Sequence, residues 1–101
     1  MVEVSAEAKE DLKGFRRNIR EVLLDRIEEE FEKDGRENIS YIHKPDFGIE
    51  FHRLKLKDGE LDHRVYFDYH DSKPVVFAVR HRDDSYSEED YEQIVDRLEE
   101  L

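Results

Sequence analysis

From His52 to Arg82 apolar side chains recur at every second position in three successive runs, and each run carries a histidine followed at once by an arginine: His52-Arg53, His63-Arg64 and His81-Arg82. A period of two marks β-strands, in which neighbouring side chains leave opposite faces. The two members of each pair must therefore part, one to each side of a sheet. In the first run His52, Leu54 and Leu56 share one face, and Arg53, Lys55 and Lys57 share the other. In the second, His63, Val65, Phe67 and Tyr69 oppose Arg64, Tyr66 and Asp68; in the third, Val75, Phe77, Val79 and His81 oppose Val76, Ala78, Arg80 and Arg82. As neighbours in one antiparallel sheet, the runs would set the histidines at the rim of an aliphatic face. The arginines would gather on the other face as a cationic concavity.

Asp58-Gly59 is a strong two-residue hairpin signal between the first two runs. It predicts that Lys57 faces Glu60, Leu56 faces Leu61, Lys55 faces Asp62, Leu54 faces His63 and Arg53 faces Arg64. Two of these pairs are opposite charges, which favour the hairpin by ~0.2–1 kcal/mol each, whereas arginine against arginine disfavours it and calls for an external anion. The next connection, around His70 to Pro74, fits a three-residue or a five-residue loop. Either keeps Phe67 and Phe77 facing the core.

Outside the runs the period changes. Met1 to Val4 alternates as a short strand, and Ser5 then caps a helix with Glu7 in its first turn and Ala8, Leu12 and Phe15 at helical spacing. The apolar stripe continues through Ile19, Val22, Leu23, Ile27 and Phe31. Gly14 and the capping-box form of Asn18-Ile19-Arg20-Glu21 divide it into two helices meeting near Arg16 and Arg17. From Lys33 to Gly48, Asp34-Gly35, Lys44-Pro45 and Phe47-Gly48 mark turns, with Tyr41 and Ile42 as a short additional strand. Ser87-Glu88-Glu89-Asp90 opens a last helix through Tyr91, Ile94, Val95, Leu98 and Leu101. The fold class predicted is α+β: an N-terminal helical hairpin packed on an antiparallel sheet of four strands or so, with a C-terminal helix. At 101 residues this is a single domain, 1-101.

Charge narrows the function classes. Charged residues make up 45% of the chain and the net charge is −11, yet the apolar residues are periodic and 11% are aromatic, so the chain folds rather than forming an acidic tail. A surface this acidic repels phosphates on average. Abundant Asp and Glu with only seven Lys also resembles proteins of halophilic archaea, whose cytoplasms hold molar salt. There the Debye length falls to ~3 Å and only close, directional contacts select partners. No cysteine, signal peptide or long apolar stretch is present, which predicts a cytoplasmic protein without disulfides. Asp68, His70 and Asp71 make a poor metal set, so neither a metal nor a small-molecule cofactor is expected.

The order strand, two helices, antiparallel strands, helix resembles the RelE/ParE toxin superfamily of type II toxin-antitoxin systems. The likeness rests on Val4 to Leu12 at the start, Asp62-His63-Arg64-Val65-Tyr66 in the middle and Val79-Arg80-His81-Arg82-Asp83-Asp84-Ser85-Tyr86 near the end. The last segment is similar to that family's closing strand, with an arginine and a tyrosine four positions on. The resemblance implies either a RelE-like endoribonuclease cutting mRNA on the ribosome or a ParE-like gyrase inhibitor, held inactive by a co-encoded antitoxin protein. Carried over, Arg53 and Lys55 form the basic pair of the first hairpin strand, with Lys55 as candidate general base. Arg64 would stabilise the pentavalent phosphate, Arg82 would bind phosphate and assist the leaving oxygen, and Tyr86 would stack on a base. Arg80 would join Arg53 in RNA-binding. Guanidinium groups suit phosphate as bidentate donors, and aromatic rings hold splayed bases.

Plainer readings stand beside these. The arginine face can be a solvated surface paired with nearby carboxylates, where pairs contribute ~0–1 kcal/mol. Tyr86 can pack on Tyr91 as a hydrophobic staple before the Ser87 cap. The fold can also serve a non-catalytic interaction domain that binds a protein partner's acidic segment through the cationic sheet face, without contact with a membrane.

Overall fold

The Ser5 hydroxyl accepts the Ala8 N–H at 3.1 Å and opens the first helix where the sequence places it. In this computed structural model, which describes residues 2–32 and 38–101, the elements run β1 (Glu3–Val4), α1 (Ala6–Lys13), α2 (Arg17–Glu32), β2 (Ile39–Lys44), β3 (Ile49–Asp58), β4 (Leu61–His70), β5 (Lys73–His81) and α3 (Glu88–Glu99). Short 3₁₀ turns occupy Pro45–Phe47 and Arg82–Asp84. The expected turn at Asp34-Gly35 lies outside the described residues. Among those that are described, no helix is long and apolar enough to cross a membrane.

The α+β class holds, with one more strand than four. Sheet order is β1-β5-β4-β3-β2, and β1 lies parallel to β5 while all other pairs are antiparallel. The sheet is therefore mixed rather than antiparallel throughout. The two helices meet at Arg16 and Arg17 as expected, but Asn18 does not cap the second. The Arg16 carbonyl accepts the Arg20 N–H at 2.9 Å, which puts Asn18 already inside α2. Glu21 accepts from Arg17 Nε at 3.2 Å instead of reaching back to a cap.

The β3–β4 register is shifted by two residues from the predicted one. Asp58 pairs with Leu61, so the turn residues are Gly59 and Glu60, not Asp58 and Gly59. Gly59 has φ +58°, the left-handed value that the first position of a II′ hairpin turn needs and glycine adopts without strain. A shift of two preserves every face. It changes every partner: Leu56 now faces His63, Lys57 faces Asp62, Arg53 faces Tyr66, and Lys55 faces Arg64.

The β4–β5 connection has neither three nor five residues but two, Asp71 and Ser72, both with positive φ (53° and 68°), which makes a type I′ turn. A bulge then supplies the missing residue. Phe67 pairs with Val76 and Tyr66 with Ala78, leaving Phe77 unpaired between them. Phe77 consequently turns to the side of Tyr66 and not, as the alternation predicts, to that of Phe67, while Val76 takes the place expected of it. Beyond the bulge Val65 pairs with Val79, Arg64 with Arg80 and His63 with His81.

Both faces of the sheet carry a core. Leu54, Leu56, Val65, Phe67, Val76 and Val79 pack against Ala8 and Leu12 of α1 and Leu23 and Ile27 of α2. On the other face Phe51, Tyr66, Phe77 and Ala78 pack against Tyr91 and Ile94 of α3. Each large apolar side chain so buried stabilises the fold by ~1.5–3 kcal/mol. Since α3 lies on the arginine face, it covers part of the concavity that the strand pattern alone would leave open.

Candidate nucleic-acid interface

Alternation and register together set Lys55, Arg64 and Arg80 side by side across β3, β4 and β5. Three cations in one cross-strand row repel one another, and the neighbouring carboxylates answer most of that repulsion. Arg64 donates to Asp62, two positions along the same strand, at 3.0 Å and also to its own strand's His63 carbonyl at 3.1 Å; its side chain is 6% exposed. Arg80 is held more completely. Its Nε reaches Asp90 at 2.9 Å, its terminal nitrogens reach Asp11 at 2.7 Å and the Gln93 side chain at 2.8 Å. These acids outweigh burial, which alone would lower the Arg80 pKa, and raise it instead.

Asp62 sits between two of the predicted phosphate-binding arginines. Besides Arg64 it is approached by Arg82 at 3.8 Å. Burial pushes its carboxyl up, but the hydrogen bond and charge of Arg64, with the charges of Arg82 and Lys57, hold it below the usual carboxylate range. Asp62 thus occupies the seat that an external anion would take between these guanidiniums. Arg82 remains 62% exposed.

The corner nearest β2 is differently furnished. Arg53 donates to the Tyr86 hydroxyl at 3.0 Å and to the Ser40 hydroxyl at 2.8 Å, two neutral acceptors, and among the described residues no carboxylate pairs with it. Tyr86 is in the left-handed region, φ 67°, a conformation that costs a non-glycine residue ~1–3 kcal/mol and that its surroundings must impose. Asp90 imposes it. Its carboxylate accepts the Tyr86 N–H at 3.0 Å, the buried Tyr66 hydroxyl at 2.9 Å and Arg80 Nε, while the Asp90 N–H is accepted by Ser87, the cap of α3. Burial and then the charge and hydrogen bond of Asp90 raise the Tyr66 phenol, which stays a donor.

Tyr86 does not staple onto Tyr91. Its ring lies 6.2 Å from that of Tyr66, whereas Tyr91 packs on Phe47 at 5.2 Å with the Lys44 ammonium over its face at 5.3 Å. Tyr86 and Tyr91, with Tyr41, Ile42, His43 and Lys44, line an open groove of about 550 Å³ along the β2 edge. Aromatic faces next to uncompensated cations are the chemistry that holds single-stranded nucleic acid.

The predicted site residues therefore divide. Arg53 and Tyr86 meet; Lys55 adjoins Arg64, not Asp62 as a turn at Asp58-Gly59 would have had it. Arg64 and Arg80 are committed to carboxylates, and Arg82 is loosely held. The histidines lie on the helical-hairpin face, as the alternation requires, with His63 in edge contact with Phe15. Sequence reasoning missed Asp62, Asp90, Ser40 and Lys44. For Asp90 the signal was its place in the Ser87 capping box, where a carboxylate is fixed near the helix start.

No known family model matches the chain, and no curated protein matches it.

Proposed function

We propose that the protein is a RelE-type toxin that holds single-stranded mRNA on the ribosome and is neutralised by a co-encoded antitoxin. One observation carries this reading: Tyr86, forced into a left-handed backbone by Asp90, is set against an Arg53 whose charge no carboxylate among the described residues answers. In this account the Tyr86 ring stacks on a base, Arg53, Lys55 and Lys44 take the phosphates, and Arg82 takes a further phosphate once Asp62 releases it. The likeness of residue order to RelE supports the target, and the groove along β2 supports the single-stranded form of the ligand.

Induction of the wild-type chain should arrest growth and generate ribosome-dependent mRNA ends, and Arg53→Ala or Tyr86→Ala should relieve both while the protein stays folded. Arrest that survives both substitutions would contradict the assignment of the site.

A second reading is favoured by the pairing of Arg64 with Asp62 and of Arg80 with Asp11 and Asp90. Those contacts occupy the groups that phosphoryl chemistry would need. They suit a non-catalytic interaction domain that binds an acidic protein segment at the same Arg53 and Lys55 corner. That domain would cause no arrest and no new RNA ends, and it would lose its protein partner on Arg53→Ala.

A further inference from the structure

The sheet ends on β2, and one bond fixes which way the backbone groups of that strand point. Lys55 donates its N–H to the Asn38 carbonyl at 2.9 Å, which makes Asn38 and Lys55 a hydrogen-bonded pair. In an antiparallel ladder such pairs alternate with pairs whose N–H and C=O groups turn away from each other. The register of β2 with β3, from Ile39 opposite Leu54 to Lys44 opposite Ile49, therefore turns Ser40, Ile42 and Lys44 inward. Ile39, Tyr41 and His43 turn outward. Carried across the sheet, the same alternation turns Val79 of β5 outward, where Asp11 accepts its N–H at 3.0 Å. On that far edge β1, Asp11 and Arg97 take the outward groups of β5. Among the described residues, none takes those of Ile39, Tyr41 or His43. β2 is six residues long, without a proline, and its register with β3 is unbroken, so it lacks the usual guards against an added strand.

Charge decides what kind of strand fits. Arg53 lies one strand inward, yet its guanidinium reaches across β2 to the Ser40 hydroxyl at 2.8 Å, which brings its charge to the edge. Lys44 holds its ammonium over the Tyr91 ring on the same face, at 5.3 Å. In a chain of net charge −11, this side of the edge is cationic. The other side is aromatic. Tyr41 is 54% exposed there with its hydroxyl bonded to Glu50, and His43 stacks on it at 6.4 Å. An added strand alternates its side chains between these two faces. Acidic residues at one parity would meet Arg53 and Lys44, and apolar residues at the other would lie on Tyr41 and His43, keeping carboxylates away from Glu50. A second copy of this chain fits poorly, because two β2 edges joined about a twofold axis bring the cations of both corners to one face of the combined sheet.

We propose that the β2 edge takes an extended acidic segment of a protein partner as an added strand of the sheet. Main-chain bonds supply the affinity of such an addition, and alternate side chains supply its selectivity. Residues that bond to Ile39, Tyr41 and His43 share their face of the sheet. The apolar set of the partner therefore carries the main-chain bonds, while its Asp and Glu residues face Arg53 and Lys44 and point their own N–H groups to solvent. Seated this way, the strand runs along the groove lined by Tyr41, His43, Lys44 and Tyr86 and answers the charge of Arg53. That it would thereby exclude RNA rests on the function proposed above; the binding itself does not.

The test follows the anisotropy of a fluorescein-labelled peptide, Thr-Asp-Val-Glu-Val-Asp-Thr, titrated with the full chain in the absence of RNA, so that it stands or falls apart from the RNA reading. Saturable binding is expected. Methylation of the two valine nitrogens should weaken it at least about tenfold, whereas methylation of two acidic-residue nitrogens should leave it within about twofold. A peptide with Lys in place of each acid should bind at least about tenfold more weakly, although net charge alone would favour it. His43→Pro removes one outward N–H without touching the bonds between β2 and β3, and it should weaken binding well beyond His43→Ala; Arg53→Met should weaken it about fivefold. Absence of binding by the parent peptide, equal affinity of the two methylated peptides, a lysine peptide that binds as tightly as the acidic one, or a wild-type dimer that His43→Pro dissociates would each overturn the proposal.

Discussion

Arg53 on β3 donates a guanidinium hydrogen bond to the Tyr86 hydroxyl at 3.0 Å, joining the middle of the sheet to the segment that leads into α3. Tyr86 reaches that position only because its backbone is left-handed, φ 67°, and Asp90 receives its N–H at 3.0 Å. A strained residue aimed at an uncompensated cation is preorganised for a third participant. In the account above that participant is RNA.

Tyr86→Phe removes the acceptor for Arg53 and keeps the ring. Unfolding free energy should fall by ~0.5–1.5 kcal/mol, while affinity for a single-stranded oligoribonucleotide stays nearly constant. Tyr86→Ala should lose the ring's stacking, ~1–3 kcal/mol of binding. Urea unfolding and fluorescence anisotropy separate the two effects.

Asp62 holds Arg64 at 3.0 Å and Arg82 at 3.8 Å. Asp62→Asn keeps the shape and removes the charge, so both guanidiniums become available to phosphate. RNA affinity should rise, with a steeper dependence on salt as more phosphates are neutralised. Equal salt slopes for wild type and variant would show that these arginines do not reach the ligand.

Asp90 is 2% exposed and serves Arg80, Tyr66 and Tyr86 at once. Asp90→Ala leaves buried donors without acceptors and should cost ~3–5 kcal/mol of stability, as breaking one side of a buried ion pair does. Chemical denaturation measures this directly.

Burial, with the charges of His81 and Arg64, lowers the His63 pKa below its ordinary 6.5, and Asp62 only partly opposes this. Protons then bind the unfolded chain more readily than the folded one. The contribution of His63 is fully present above pH 6.5 and is lost as pH falls through the window beneath that value. His63→Gln should abolish this component, seen as a smaller drop in urea midpoint between pH 7.5 and pH 5.5 (chosen to bracket the ordinary value of about 6.5) than wild type shows.

Features that depend on a few adjacent residues were legible in the sequence. Ser5 and Ser87 cap the helices they precede, the break near Arg16 is where Gly14 suggested it, and alternation separated the histidines from the arginines. The turn at Gly59 was misplaced by one residue because Asp58-Gly59 and Gly59-Glu60 both suit two-residue hairpins, and only the whole sheet chooses between them. Nothing local marks Phe77 as the bulged residue, yet that bulge aligns Arg64 with Arg80 and His63 with His81. The ties of Arg80 are less legible still. Asp11 lies 69 positions away and is brought there by α1, beside the stretch of β5 that β1 is too short to cover, where it also accepts the Val79 N–H at 3.0 Å.

Affinity of the folded chain for a single-stranded oligoribonucleotide, measured by anisotropy for wild type and for Arg53→Met, addresses the central claim most directly. The account predicts saturable binding by wild type that weakens with salt and falls at least about tenfold, or ~1.4 kcal/mol, in the variant. Wild-type binding that is absent, or equal to that of Arg53→Met, would contradict it.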